Sequence, residues 1–162
     1  MRASRGLAAG LLGLFLAEGV AASAQSGMAQ PRSASATIVY VNRQYGFRFT
    51  LPADCRGYSI VTDEWMGSAP ANNERGPLLS IRDPRWTEEQ PRQDIPIMIF
   101  TGAQWKLLQN GKLTVSAAPY DPGEIGRNRR YVFAIPPRYN FDEDPGYREV
   151  MEILKEHPLH AF

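Results

Sequence analysis

The chain has 162 residues, and its 18 Lys and Arg against 17 Asp and Glu leave a formal net charge of +1. That near-neutrality argues against a generic polyanion binder. With 43% hydrophobic and 22% charged residues, the composition is that of one ordinary globular domain rather than a disordered, collagen-like or disulfide-dense chain.

Arg2 and Arg5 precede an uncharged apolar run from Leu7 to Ala17, and Ala22-Ser23-Ala24 places small residues at A-x-A spacing. This pattern predicts a signal peptide cleaved near Ala24, hence a periplasmic or extracellular protein. The run is well short of the roughly 20 residues that span a bilayer as a helix, and Glu18 interrupts it. The expected product of 138 residues is neutral and has no membrane span. Its single cysteine, Cys55, cannot form an internal disulfide and is read as a small buried hydrophobe.

Residues 25–36 lack apolar periodicity and read as a flexible leader, so the folded domain is expected over 37–162. Ile38 to Val41 is a predicted strand, followed by a turn at Tyr45-Gly46. Phe47, Phe49 and Leu51 alternate with Arg48 and Thr50, the two-residue period of a half-buried strand. Tyr58 to Val61 and Leu78 to Arg82 are further strands, with Gly67 to Pro77 between them expected as a loop. Ile95 to Phe100 is apolar apart from Pro96 and reads as a buried strand starting near Ile97, since proline is tolerated at strand starts and edges.

Thr101 and Gln104 have capping-box spacing, and Asn110-Gly111 is a stop signal, predicting a short helix between them. Leu113 to Ala117 and Arg130 to Ile135 are expected strands, and Pro119 to Asn128 a loop. Asp144 and Pro145 fit the cap and first position of a last helix. Along it, Tyr147, Val150, Met151 and Leu154 recur at i, i+3, i+4 and i+7. The expected class is α+β: a central antiparallel β-sheet flanked by helices, with the C-terminal amphipathic helix packed on the sheet.

The run Asn42-Arg-Gln-Tyr-Gly-Phe-Arg-Phe-Thr-Leu-Pro52, with Gly57-Tyr-Ser-Ile-Val61 after it, resembles an uncharacterised family of small secreted bacterial proteins. The resemblance continues through Pro91 to Thr101, Gly126 to Asn128, Tyr131 to Ala134 and Pro137 to Asn140. It implies that Cys55 and Asp83 have no carried-over role, because that family usually has Trp and His there. The Tyr45-Gly-Phe-x-Phe-x-Leu-Pro52 core is also similar to the opening hairpin of PsbP/Mog1-like domains. That similarity implies a sheet between helices and no particular activity.

No residue set specifies a reaction. The densest polar and aromatic segment is Arg82-Asp-Pro-Arg-Trp86, continuing to Pro91-Arg-Gln-Asp94. Arg92 offers a planar fork for a carboxylate or phosphate, and Trp86 offers a stacking face. The competing reading is that Arg92 and Asp94 tie down a proline-rich loop while Trp86 caps the core. Arg127, Arg129 and Arg130 interleave with Tyr131, Phe133, Arg138 and Tyr139, a mixture nucleic-acid binders use. Export, neutrality and strand alternation favour instead a packed core edged by solvated arginines, and no nucleic-acid partner.

Asp142-Glu-Asp144 lacks the spacing of a calcium loop, and His157 and His160 lack a nucleophile partner. No catalytic residue, metal or cofactor is therefore assigned. The candidate ligand-binding residues are Trp86, Arg92, Asp94, Trp105, Arg127 and Tyr139. The leading expectation is a monomeric, non-enzymatic domain binding a small molecule or an envelope protein. The alternatives are a hydrolase or other enzyme using Arg92, Asp94 and Arg127, and a structural envelope protein.

Overall fold

The computed structural model describes residues 36–115, 120–137 and 144–162. In chain order they form β1 (Thr37–Asn42), β2 (Phe47–Pro52), β3 (Ser59–Ser68), β4 (Asn73–Arg82), β5 (Ile95–Thr101), α1 (Gly102–Gln109), β6 (Gly123–Arg127), β7 (Tyr131–Ile135), α2 (Tyr147–Lys155) and β8 (Leu159–Ala161). The class is α+β, with more sheet than helix. The expected signal peptide and, apart from Ala36, the expected leader lie outside the described residues, as does Tyr139. Among the described residues, no helix is long and apolar enough to cross a membrane.

All strand pairings are antiparallel, and they make two sheets rather than one: β1-β2-β8, and β3-β4-β5-β7-β6. β5 and β7 explain the layering. Both are apolar at nearly every position because both their faces are buried, which removes the alternation of a half-solvated strand. Ile95, Ile97 and Ile99 of β5, with Phe133 and Ile135 of β7, join Phe47, Phe49 and Leu51 of β2, Val150 of α2 and Leu159 of β8 in one core. Met98 and Phe100, with Val132 and Ala134, face the other way, onto Trp65, Trp105, Leu108 and Leu113. The five-stranded sheet is thus covered on one face by the small sheet and α2, and on the other by α1. Tyr131 and Phe133 point to the same core, as strand alternation requires.

Several segments depart from expectation, each for a physical reason. Within Gly67 to Pro77 only residues 69–72 form a loop: β3 and β4 pair through the rest, from Ser59↔Arg82 out to Ser68↔Asn73. Its glycines mark close approaches. A Cβ on Gly76 would lie 2.6 Å from the Trp65 ring, which crosses the strand to donate its indole N–H to the Ile99 carbonyl (2.9 Å). The expected loop 119–128 likewise contains β6, where a bulge between Glu124 and Gly126 and the bare Cα of Gly126 admit the Leu159 side chain.

Leu113 to Ala117 yields, among its described residues, only an isolated bridge from Thr114 to Ser68. β5 begins at Ile95, with Pro96 inside it opposite Ser80. The segment after α2 is no bare tail, for β8 pairs with β2.

The capping box of α1 forms as expected. Thr101 Oγ1 accepts the Gln104 N–H, and Gln104 Oε1 accepts that of Thr101. Asp144, by contrast, does not cap α2. The helix starts at Tyr147 after Gly146, whose φ of +89° is the left-handed turn. Pro145 sits in the entry turn, where its carbonyl accepts the Gln93 N–H at 2.8 Å. The buried stripe of α2 centres on Val150, with Ile153 and Leu154 packed against the core beside it.

Candidate functional site

The Arg82 to Asp94 segment folds back on itself. The Arg82 guanidinium reaches both carboxylate oxygens of Asp94 (Nη2 to Oδ2 2.9 Å) and lies 3.9 Å above the Trp86 ring. Trp86 and Asp94 are therefore brought together, but by a cation that occupies both. Arg92 turns the other way. Its Nη2 donates to Glu149 of α2 (2.9 Å), and its Nε is 3.5 Å from Asp83. Arg85 completes the network with 2.6 Å contacts to Asp83 and Glu149. Four charges thus fasten the first turn of α2 to the β4–β5 connection, and the arginine fork expected to meet a ligand meets α2.

Cys55 stands beside this network, half-buried. Burial, reinforced by the Asp83 charge, raises its thiol pKa and so disfavours the thiolate. Asp83 moves the opposite way: the Arg85 hydrogen bond holds its carboxyl below the usual carboxylate range.

Because the folded carboxyl then releases its proton below the unfolded value of about 3.9, the stability Asp83 contributes is complete above that pH. It is lost as pH falls through the folded value. Urea unfolding from pH 6 to pH 2 should show this loss, and Asp83→Asn should flatten that part of the acid limb. An unchanged limb would mean the network does not hold α2.

The remaining candidates do not join this cluster. Trp105 is buried in the second core, its ring 5.4 Å from Phe100. Arg127 is the last residue of β6, next to the β6–β7 turn, and is paired with Glu124. Since Thr101↔Tyr131 begins the β5–β7 ladder, that turn adjoins the end of β5 opposite Asp94. Arg92, Asp94 and Arg127 each have a separate partner, Glu149, Arg82 and Glu124 respectively. Among the described residues no three His, Cys, Asp or Glu side chains gather to hold a metal.

What the fold does build around Arg127 is an open basin of about 630 Å³, walled by the β1–β2 turn, the β6–β7 turn and Ala161-Phe162. Asn128 joins the three. Its amide nitrogen donates to the carbonyls of Tyr45 (2.9 Å) and Gly46 (3.1 Å), and its oxygen accepts the N–H groups of Arg130 and Tyr131 (both 2.9 Å). Phe162 adds a backbone bond to Gly46 O at 2.9 Å. Gly46 is required twice over: its φ is +76°, and a Cβ there would sit 2.7 Å from the Phe162 carbonyl oxygen.

Arg43, Arg129 and Arg130 are exposed at this rim, and among the described residues none has an ion-pair partner. Arg130 stands over the Tyr131 ring at 5.4 Å. Tyr131 packs edge-on against Tyr45 (5.5 Å), whose phenol pKa is raised by burial and by Tyr131, leaving it neutral. The basin is a preorganised, cationic, partly aromatic surface.

The sequence groups Arg127, Arg129 and Arg130 but reads Arg129 and Arg130 as a solvated edge, and it gives no sign of Arg43. Arg43 and the Arg129-Arg130 pair are 86 positions apart, and only the two turns bring them together. The usable signal is Asn128 followed by two arginines, beside a second turn, Asn42 to Gly46, that also carries an arginine. No protein-family model, no curated protein and no solved structure matches this chain.

Proposed function

We propose that the protein is an exported, non-enzymatic binding domain of the bacterial cell envelope, and that it holds an anionic ligand in the basin between the β1–β2 and β6–β7 turns. One observation carries this reading: Arg43, Arg129 and Arg130, without an ion-pair partner among the described residues, line one basin fixed by Asn128. Elsewhere the arginines of the best-packed loop, Arg82, Arg85 and Arg92, are consumed by internal carboxylates. Three guanidiniums lining one basin repel one another, and an anion between them relieves this with charge-assisted, bidentate hydrogen bonds.

Export rests on the Arg2 to Ala24 pattern. The resemblance to small secreted bacterial proteins agrees with export, and the non-enzymatic reading rests on the absence of a catalytic residue set in the sequence. The near-neutral charge of the chain, +1 overall, agrees with a local site for a small anion rather than a surface for a long polyanion.

Citrate titrated calorimetrically at low ionic strength is expected to bind the parent protein. Arg129→Glu/Arg130→Glu should weaken it at least about tenfold, roughly 1.4 kcal/mol, with thermal stability nearly unchanged because both side chains are exposed. Equal affinity in the two proteins would refute the assignment.

A further inference from the structure

The basin is more than a patch of charge, and its composition narrows the ligand. Its cations arrive from two different turns, Arg43 from β1–β2 and Arg129 and Arg130 from β6–β7, so one point charge cannot satisfy them all with bidentate geometry. Its other surface is aromatic: Tyr45 and Tyr131 are half-buried there, and Phe162 leaves 64% of its surface exposed at the edge. An aromatic side chain left so open beside guanidiniums is a stacking face, as binding pockets that combine apolar walls with a few placed polar groups use. At about 630 Å³ the basin falls within the range of small-molecule sites, roughly 300–1,000 Å³.

We infer that the ligand is a small planar ring compound carrying two or more anionic groups, its ring against Phe162 and the tyrosine pair and its anions shared between Arg43 and the Arg129-Arg130 turn. This rests on the basin being the binding site. Arg130, already placed over Tyr131, extends the same stacking surface as a cation, which favours an electron-rich or anionic ring over a neutral one.

The test uses a matched set of probes with the full-length chain, read by calorimetry at one fixed ionic strength. Benzene-1,2,4,5-tetracarboxylate and butane-1,2,3,4-tetracarboxylate carry the same number of carboxylates with and without a ring, and benzoate carries the ring with one. The aromatic tetracarboxylate should bind at least about fivefold tighter than the aliphatic one and at least about tenfold tighter than benzoate. Phe162→Ala should erase the first difference while leaving the aliphatic anion's affinity in place, and Arg43→Glu should weaken both tetracarboxylates.

Equal binding of the two tetracarboxylates, unaffected by Phe162→Ala, overturns the ring requirement and leaves the anion site standing. Benzoate binding as tightly as the aromatic tetracarboxylate overturns the requirement for several charges. If no probe binds, or if binding is indifferent to Arg43, Arg129 and Arg130, the basin assignment itself fails, and this inference with it.

Discussion

Replacing Phe47 by alanine is expected to cost about 3–5 kcal/mol of folding stability, enough to leave a domain of this size near the unfolding threshold, since whole domains are stable by only about 5–15 kcal/mol. Phe47 has no exposed surface. It carries the contact between the two sheets: its ring centroid is 4.9 Å from that of Phe133 on β7 and 5.7 Å from that of Tyr40 on β1. Removing it opens a cavity where the layers meet, and neither sheet can slide to fill it without breaking its own ladder. Val41 is the natural control, because it is 49% exposed on the outer side of β1, and Val41→Ala should change stability by less than about 0.5 kcal/mol. A loss below about 1 kcal/mol at Phe47 in urea unfolding would show that the sheets do not share this core.

Asn128→Ala should cost about 2–4 kcal/mol, since its side chain makes five hydrogen bonds, each contributing about 0.5–1.5 kcal/mol less replacement by water. The larger consequence is functional. Without the amide, the β1–β2 turn is no longer tied to the β6–β7 turn, and Arg43 loses its fixed position relative to Arg129 and Arg130. Anion binding should then fall by more than an order of magnitude even at temperatures where the variant remains folded. Asn128→Asp discriminates the two halves of the amide. It keeps an acceptor for the N–H groups of Arg130 and Tyr131 but sets a carboxylate against the carbonyls of Tyr45 and Gly46. It should be no better than alanine. An aspartate variant with parental stability would mean that the donor half contributes nothing.

How far the fold can be read in advance is seen in its glycines and its buried strands. The Phe47 to Leu51 alternation and the Thr101/Gln104 capping box are local signals, and both form as read. Gly67, Gly76 and Gly126 carry a second meaning that local reading assigns to loops. Each is a place where a distant side chain, such as Trp65 or Leu159, presses on the backbone, and so each lies inside a strand. β8 is three residues long and exists because β2 offers it an edge, so nothing within it announces a strand. Asp144 fails as a cap because Pro145 is drawn to Gln93 across the fold.

The same division holds at the site. Arg92 and Asp94 are legible as a polar loop, but their partners, Glu149 and Arg82, come from distant or neighbouring elements that local reading does not connect to them. Arg127 is legible as part of a basic turn, whereas Arg43 becomes relevant only once Asn128 has bonded the turn that carries it.

Amide chemical-shift mapping of the folded protein during a citrate titration tests the central claim most directly. The account predicts saturable shifts concentrated in residues 43–46, 127–131 and 161–162, with Trp86 and the 82–94 segment unmoved. Shifts centred on Trp86 and Arg92, or spread evenly over exposed arginines without saturation, would contradict it.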